Sequence, residues 1–398
     1  MTVSPHHRGM CCFLSFDIVM KILMLSGDNE IMNKQSEVYE RMKAYANLCD
    51  ELHIVVLGGE HNAQHSRGNL FIYCISGNKI MQRVGAYCIV RSIAKRQHID
   101  VITAQSPDEL GLIAYLVARL HGTKLQLQVH TDIMSSWYRR AGILPRIKYT
   151  LARFLLPRAD CVRVVSQRIA RSLIDDLRIP VSLVTVLPVF TDVSAFMRQS
   201  SKMSKDARTQ VSVCAMIAVG RMKEKEKNFS MLIRAMVEVI NTHPTAVLVI
   251  VGDGPDKEYY QSLITLFGLE RNVFLDPWHN DLPSFYPSFD LLVVPSFIEG
   301  WGRVVIEAMA SGLPVLMTDV GAAGEVVRDG INGRVVAVGD QSAFAAAIND
   351  FCLHPEIRTQ LAYAARKTAY SLHPSTTEEY LTQWKKSFDC CFARTHGN

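Results

Sequence analysis

At 398 residues, 48% of them hydrophobic, the chain has material for two domains of ordinary size, each with its own core. A net charge of +5 and a pI near 8.6 suit anionic ligands or an anionic membrane surface, but they fall short of a nucleic-acid signature, and no nucleic-acid motif is present. The ten cysteines show no CxxC or Cys/His spacing of a metal site and read as reduced thiols of a cytosolic protein, and no apolar run reaches the roughly 18 residues that cross a bilayer.

The first nineteen residues place His6, His7 and Arg8 ahead of an apolar stretch that Asp17 interrupts, with no small-residue cleavage site, so Met20 is read as the start. From there short apolar runs alternate with segments of helical period, the pattern of βαβ units and parallel sheets. Strands are expected at Ile22–Leu25, Leu52–Leu57, Asn69–Ile75, Val101–Thr103, Leu125–His130 and Cys161–Val165, with helices such as Val38–Leu48 and Leu110–Leu120 between them. The polar stretch Ser200–Gln210 marks a domain boundary. Strands resume at Val211–Val219 and recur near Ala246–Val251, Val273–Leu275, Leu291–Val294, Val315–Met317 and Gly333–Val336. A last helix, Thr376–Phe388, carries Tyr380, Leu381, Trp384 and Phe388 at helical spacing. The division is therefore an extension over 1–19, a Rossmann-like domain over 20–205, a second over 206–370 and a terminal helix over 371–398. Two such α/β domains turn the carboxyl ends of both sheets toward one shared cleft.

Several segments carry chemistry. Glu299-Gly300-Trp301-Gly302-Arg303-Val304-Val305-Ile306-Glu307 takes a glycine-spaced loop into an apolar helix and sets two carboxylates eight positions apart. If the residues between are mostly helical, the carboxylates stand roughly 12 Å apart, comparable to the span from a hexose to the ribose of a nucleotide diphosphate sugar. A helix N-terminus between them offers free N–H groups to the diphosphate. After strand Val211–Val219, the loop Gly220-Arg221 to Lys227-Asn228-Phe229 joins a bidentate guanidinium to a point charge, apt for the same group, with Lys225 as the alternative to Lys227. Gly252 and Gly254 end a strand in a tight turn and shape the cleft floor. Lys124–His130 alternates as a strand does and delivers His130 to its carboxyl end, with Asp132 beside it. Trp137 to Arg153 mixes aromatic and basic residues, as an anionic bilayer contact does, or a solvated helix with Trp137 and Tyr138 packed beneath it.

Pro295-Ser296-Phe297-Ile298-Glu299-Gly300-Trp301-Gly302, continued through Glu307-Ala308-Met309-Ala310-Ser311-Gly312-Leu313-Pro314-Val315, resembles the family 4 glycosyltransferases, retaining enzymes marked by a Glu-x7-Glu motif. The resemblance runs from Met20 to the last helix and is strongest from Arg221 to Gly333. It implies an α/β GT-B fold, two Rossmann-like domains facing each other across a cleft, with the last helix crossing back to the first domain. It also implies transfer of a hexose from a UDP- or GDP-linked donor to a hydroxyl of a glycan or lipid-linked acceptor, in cell-surface polysaccharide or glycolipid synthesis, with no cofactor or required metal. By position, Glu299 faces the donor sugar, Arg221 and Lys227 neutralise the departing diphosphate, His130 stands near the developing cationic centre, and Glu307 holds the ribose. Gly300, Trp301, Gly302, Arg303, Gly220 and Gly252 complete the donor site. Where family members carry glycine ahead of the first helix this chain has Lys34-Gln35-Ser36-Glu37, so either the anion contact from this domain is weaker here or Ser36 supplies it with its hydroxyl. Of the family loop around Asn-Gly-Val-Asp only Asp192 is kept, and Glu325 is read as a first-turn helix residue. The expected location is cytoplasmic, peripheral on the membrane face.

Three rivals remain open at the level of sequence. A sugar-nucleotide 2-epimerase would convert a donor with no acceptor present. A non-catalytic GT-B protein would bind the sugar nucleotide without turnover, and an unrelated two-domain binder would bind no nucleotide.

Overall fold

The computed structural model describes residues 20–59, 61–202, 214–279, 281–372 and 377–392. The expected extension over 1–19, the 205/206 division and positions 211–213 of an expected strand lie outside them, as does Thr376.

The first sheet has eight strands in the order β3-β4-β2-β1-β5-β6-β7-β8. They are β1 (Lys21–Ser26), β2 (Glu51–Leu57), β3 (Ala63–Arg67), β4 (Leu70–Ile75), β5 (Val101–Ala104), β6 (Lys124–Val129), β7 (Cys161–Val164) and β8 (Val184–Val186). All neighbours run parallel except the β3–β4 hairpin. Helices cover both faces, so the inner strands are apolar without a break, and successive residues serve opposite cores. Ile22 and Met24 pack with Tyr39 and Met42 of α1 (Glu37–Ala46), whereas Leu23 and Leu25 pack toward the opposite layer. That layer holds α2 (Lys79–Arg96), α3 (Glu109–His121), the short α4 (Ser136–Arg140) and α5 (Ile143–Leu155); α6 (Gln167–Leu177) and α7 (Ser194–Lys202) complete this half. The polar edge strand β3 carries no apolar run to announce it, and β8 is only three residues long.

The second sheet has six parallel strands in the order β11-β10-β9-β12-β13-β14. These are β9 (Ala215–Val219), β10 (Val247–Val251), β11 (Val273–Asp276), β12 (Leu291–Val294), β13 (Val315–Thr318) and β14 (Arg334–Val336). Its helices are α8 (Glu224–Lys227), α9 (Phe229–Thr242), α10 (Lys257–Leu266), α11 (Leu282–Phe285), α12 (Arg303–Ala310), α13 (Gln341–Leu353) and α14 (Pro355–Leu372).

The last helix, α15 (Thr377–Lys386), lies on the first sheet's α1 face. Trp384 stacks on Tyr45 at 4.1 Å, and Gln126 Nε2 donates to the Ser387 carbonyl at 2.7 Å. Just beyond it Cys390 is disulfide-bonded to Cys161 of β7, with 5.6 Å between their Cα atoms. This corrects the expectation that all ten cysteines are reduced. The partners are 229 positions apart, so spacing gave no sign of the pair.

Candidate active site

Loops at the carboxyl ends of the two sheets meet around a cavity of about 630 Å³ whose walls include His130, Thr131, Lys225, Lys227, Glu299 and Gly300. The closest approach is between backbones. A Cβ built on Gly300 would lie 1.8 Å from the carbonyl oxygen of His130, so only glycine lets the loop after β12 touch the end of β6.

Glu299 is held in that loop by three neighbours. Lys227 Nζ donates to Glu299 Oε1, Ser296 Oγ donates to the same oxygen at 2.9 Å, and Gly321 lies under its Cβ, where a side chain would come within 2.8 Å. Lys227 reaches the pair across Gly220, where an added Cβ would stand 3.0 Å from the lysine Cε. Gly252 has the same logic one strand over, since a Cβ there would fall 2.1 Å from the Gly220 carbonyl oxygen. Of Lys225 and Lys227, both line the cavity, and Lys227 is the one joined to Glu299.

The helix carrying Glu307 begins only at Arg303, after Gly302 in a left-handed conformation with φ of 86°. The loop Glu299–Gly302 is not helical, so the rise argument covers Arg303–Glu307 alone, about 6 Å. No side chain caps α12; Val305 N–H is taken by the Gly302 carbonyl at 2.9 Å, which leaves the Arg303 and Val304 N–H groups toward the loop. Glu307 itself is buried; the Tyr286 hydroxyl donates to its Oε2 at 3.4 Å and Arg303 Nη2 stands 3.4 Å from Oε1. Burial raises its pKa, Arg303 and Tyr286 oppose the rise, and Glu37 in the first turn of α1 adds to it.

His130 sits one residue past β6 at the end of a directed chain of hydrogen bonds. Gln126 gives its amide N–H to Ser387 and accepts from Thr103 Oγ1 at 3.0 Å; Thr103 accepts from Gln128 Nε2 at 2.9 Å. Gln128 Oε1 then accepts from buried Arg163 and lies 3.0 Å from His130 Nε2. An amide oxygen only accepts, so His130 Nε2 carries the proton and Nδ1 the lone pair. The residue opens on the cavity, and desolvation with Arg163 and Arg41 lowers its pKa, which favours the neutral imidazole.

Other expected residues are placed differently. Ser36 Oγ donates to the Glu30 carbonyl at 2.6 Å and accepts from Tyr39 N at 3.0 Å, so its hydroxyl caps α1 and has no proton left for an anion. Asp192 accepts from Ser194 in a local turn. The Trp301 side chain is buried in the apolar core and is not a cavity wall. Arg221 is exposed in the loop after β9, and the cavity wall there is made by Lys223, Lys225 and Lys227. Glu325 lies in a turn, not in a helix; it accepts from Gln167 N at 2.8 Å and so caps α6 of the other half. Beside it Arg168 pairs with Asp319 and donates to the Ala323 carbonyl at 3.0 Å. Trp137 stacks on Phe297 at 4.6 Å, a bridge between the halves and not the underside of its own helix. Gln128, Arg163, Tyr286 and Ser296 were not singled out from sequence, because their value lies in partners distant along the chain.

The Glycosyltransferase Family 4 model matches residues 38–195 and the Glycosyl transferases group 1 model matches residues 206–368. The chain belongs to the group 1/family 4 glycosyltransferases. It is 23% identical over 293 residues to N-acetyl-alpha-D-glucosaminyl L-malate synthase of Bacillus anthracis, covering 74% of this chain and 75% of that one. It is 31% identical over 160 residues to the lipopolysaccharide core biosynthesis glycosyltransferase LpsE of Rhizobium meliloti, covering 40% and 46%. For several curated relatives it matches, the alignment spans less than half of their length. Anabaena HepE, solved with UDP and glucose, superposes with a TM-score of 0.71 at 20% identity over 93% of this glycosyltransferase and 99% of HepE, which establishes the GT-B fold.

Proposed function

We propose that this glycosyltransferase moves a hexose from a UDP- or GDP-linked donor to a hydroxyl of a glycan or lipid-linked acceptor, with retention of anomeric configuration, in cell-surface polysaccharide or glycolipid synthesis. The observation that carries this is the Lys227–Glu299 pair, set beside the uncapped start of α12 and opposite His130 across the Gly300 contact. The relatives support it: HepE was solved with UDP and glucose, and LpsE is named for lipopolysaccharide core synthesis.

In this reading the diphosphate lies on the first-turn amides of α12, with Lys227 and Arg221 neutralising it and Glu307 taking the ribose hydroxyls. Glu299 and Glu307 share no partner, and a hydrolase-like carboxylate pair at about 5 Å plays no part. The acceptor oxygen bonds to the anomeric carbon on the face from which the diphosphate departs. The carbon–oxygen bond to the diphosphate breaks as it does so, and the acceptor's proton passes to the leaving phosphate oxygen. Neutral His130 lines the sugar side without adding a positive charge to the developing cation. Charge for the leaving group comes from protein cations and amides, so no metal enters these steps.

We also place the protein peripherally on the cytoplasmic membrane face. Among the described residues no helix is long and apolar enough to cross a membrane.

The test is product analysis with UDP- and GDP-hexoses. An α-linked donor should give an α-linked product. An inverted product would overturn the mechanism; donor isomerisation without acceptor would favour the 2-epimerase, and tight binding without turnover the non-catalytic alternative.

A further inference from the structure

Strand β6 buries two glutamines. Leu125, Leu127 and Val129 enter the core on the α3 side, while Gln126 and Gln128 alternate with them and serve the opposite face, where α15 lies. The residues opposed to them on the neighbouring strands are polar as well: Thr103 of β5 stands against Gln126, and Arg163 of β7 stands against Gln128. Thr103 and both glutamines are fully buried, and Arg163 is only 8% exposed. The two ends of the hydrogen-bonded chain they form differ in kind. At one end the Ser387 carbonyl can only accept, and it takes a proton donor from Gln126 Nε2; at the other the Arg163 guanidinium can only donate, and it gives to Gln128 Oε1. Thr103 between them accepts from Gln128 and donates to Gln126, an arrangement that satisfies both ends. A Gln128 amide turned the other way would set its NH2 group against the guanidinium.

As a stabilising element Arg163 is poorly chosen. Among the described residues no carboxylate pairs with it and its Nη1 has no hydrogen-bond partner; burial works against its charge, which the Tyr380 and Tyr45 hydroxyls favour. For stability alone an apolar side chain of similar volume would serve as well or better. A permanently charged donor that no acid neutralises is suited instead to fix the direction of an amide, and the amide it fixes is the one bonded to His130.

We propose that Arg163 is a positioning residue, which acts through Gln128 to keep the His130 proton on Nε2 and so offers Nδ1 to the cleft as a hydrogen-bond acceptor. His130 lines the cavity, and its Nδ1 has no partner among the described residues. The ligand group that Nδ1 receives is therefore a donor, a sugar hydroxyl, and not a carbonyl or carboxylate oxygen. Placing that hydroxyl on the donor hexose rests on the glycosyltransferase reading; the role of Arg163 in setting the tautomer does not.

The test is nitrogen NMR of the full chain labelled at histidine, at neutral pH, where the imidazole shifts show which nitrogen carries the proton; His130→Gln identifies the signal among the 13 histidines. The wild type is expected to show one tautomer, protonated at Nε2. Arg163→Met should show a mixture of the two with an unfolding midpoint equal to or above that of the wild type. Its turnover should fall to about half or less, in proportion to the Nε2 form lost. Thr103→Val should leave the tautomer unchanged, since the guanidinium still holds Gln128. Addition of a UDP- or GDP-hexose should move the Nδ1 signal, and the free nucleotide should not. A wild type protonated at Nδ1, or an Arg163→Met variant that keeps the single tautomer, would overturn the proposal. An Arg163→Met midpoint well below that of the wild type would assign the arginine to stability and overturn it too. So would a mixture in Thr103→Val, which would give control of the direction to the Ser387 end. The expected tautomer and its loss in Arg163→Met, with no response to either sugar nucleotide, would defeat the donor assignment and leave the role of Arg163 intact.

Discussion

Gly300→Ala is expected to lower turnover by about a hundredfold, the cost of displacing reacting groups by around 1 Å. A methyl group at this position would sit 1.8 Å from the His130 carbonyl oxygen, and the obstructing atom is backbone at the end of a sheet, not a side chain that can swing away. The two halves must therefore separate, and Glu299 and Lys227 move away from His130 together. One face of each sheet keeps a core confined to its own half, so the variant should still unfold cooperatively. Gly27→Ala is the matched control, since nothing lies within 4 Å of a Cβ there, and it should turn over as the wild type does. Steady-state kinetics on the two variants settle the point; wild-type turnover in Gly300→Ala would mean that the halves need not touch for catalysis.

Lys227→Ala is expected to lower turnover by about a hundredfold to a thousandfold, the range for losing one preorganised charge stabiliser of a transition state. The lysine holds the Glu299 carboxylate in place and is the cation of the loop after β9 that reaches it. Lys227→Arg should recover part of the loss through retained charge, with geometry altered by the planar guanidinium. Lys225→Ala separates the two assignments open in the sequence: its Nζ belongs to the cavity wall without a bond to Glu299, so its effect should be the smaller. A larger loss in Lys225→Ala than in Lys227→Ala would reverse the roles.

The inner strands were legible because both faces of a parallel sheet are covered and their residues are apolar without interruption, as in Leu291–Val294. Edge strand β3 was not, since Ala63–Arg67 buries nothing. Helix α2 was hidden by its own composition: Ala86, Val90 and Ile93 are buried, yet Ile80, Met81 and Val84 are exposed, so no single apolar stripe runs its length. In the site, motif glycines were readable because close backbone approach admits nothing else at Gly300 and Gly252. Partners brought in by tertiary packing were not. Nothing in the spacing of Gln128, Arg163 and Ser387 announces that they fix the proton on His130, nor does Glu325 announce that it caps a helix in the other half. Ser36 misled for a physical reason, because a serine before a helix is first a cap.

The most direct measurement is thermal stabilisation of the purified protein by UDP, GDP and ADP, compared between the wild type and Glu307→Ala. A nucleotide at about 100 times its Kd adds about 2.7 kcal/mol to the folded state, so one of the three should raise the unfolding midpoint clearly. Glu307 is buried one turn into α12 from the diphosphate loop, its carboxylate held by Tyr286 and Arg303, and its loss should remove most of that rise. Selective stabilisation by one nucleotide, abolished in Glu307→Ala, is the predicted result; no stabilisation by any of the three, or an undiminished rise in the variant, would contradict the donor site described above.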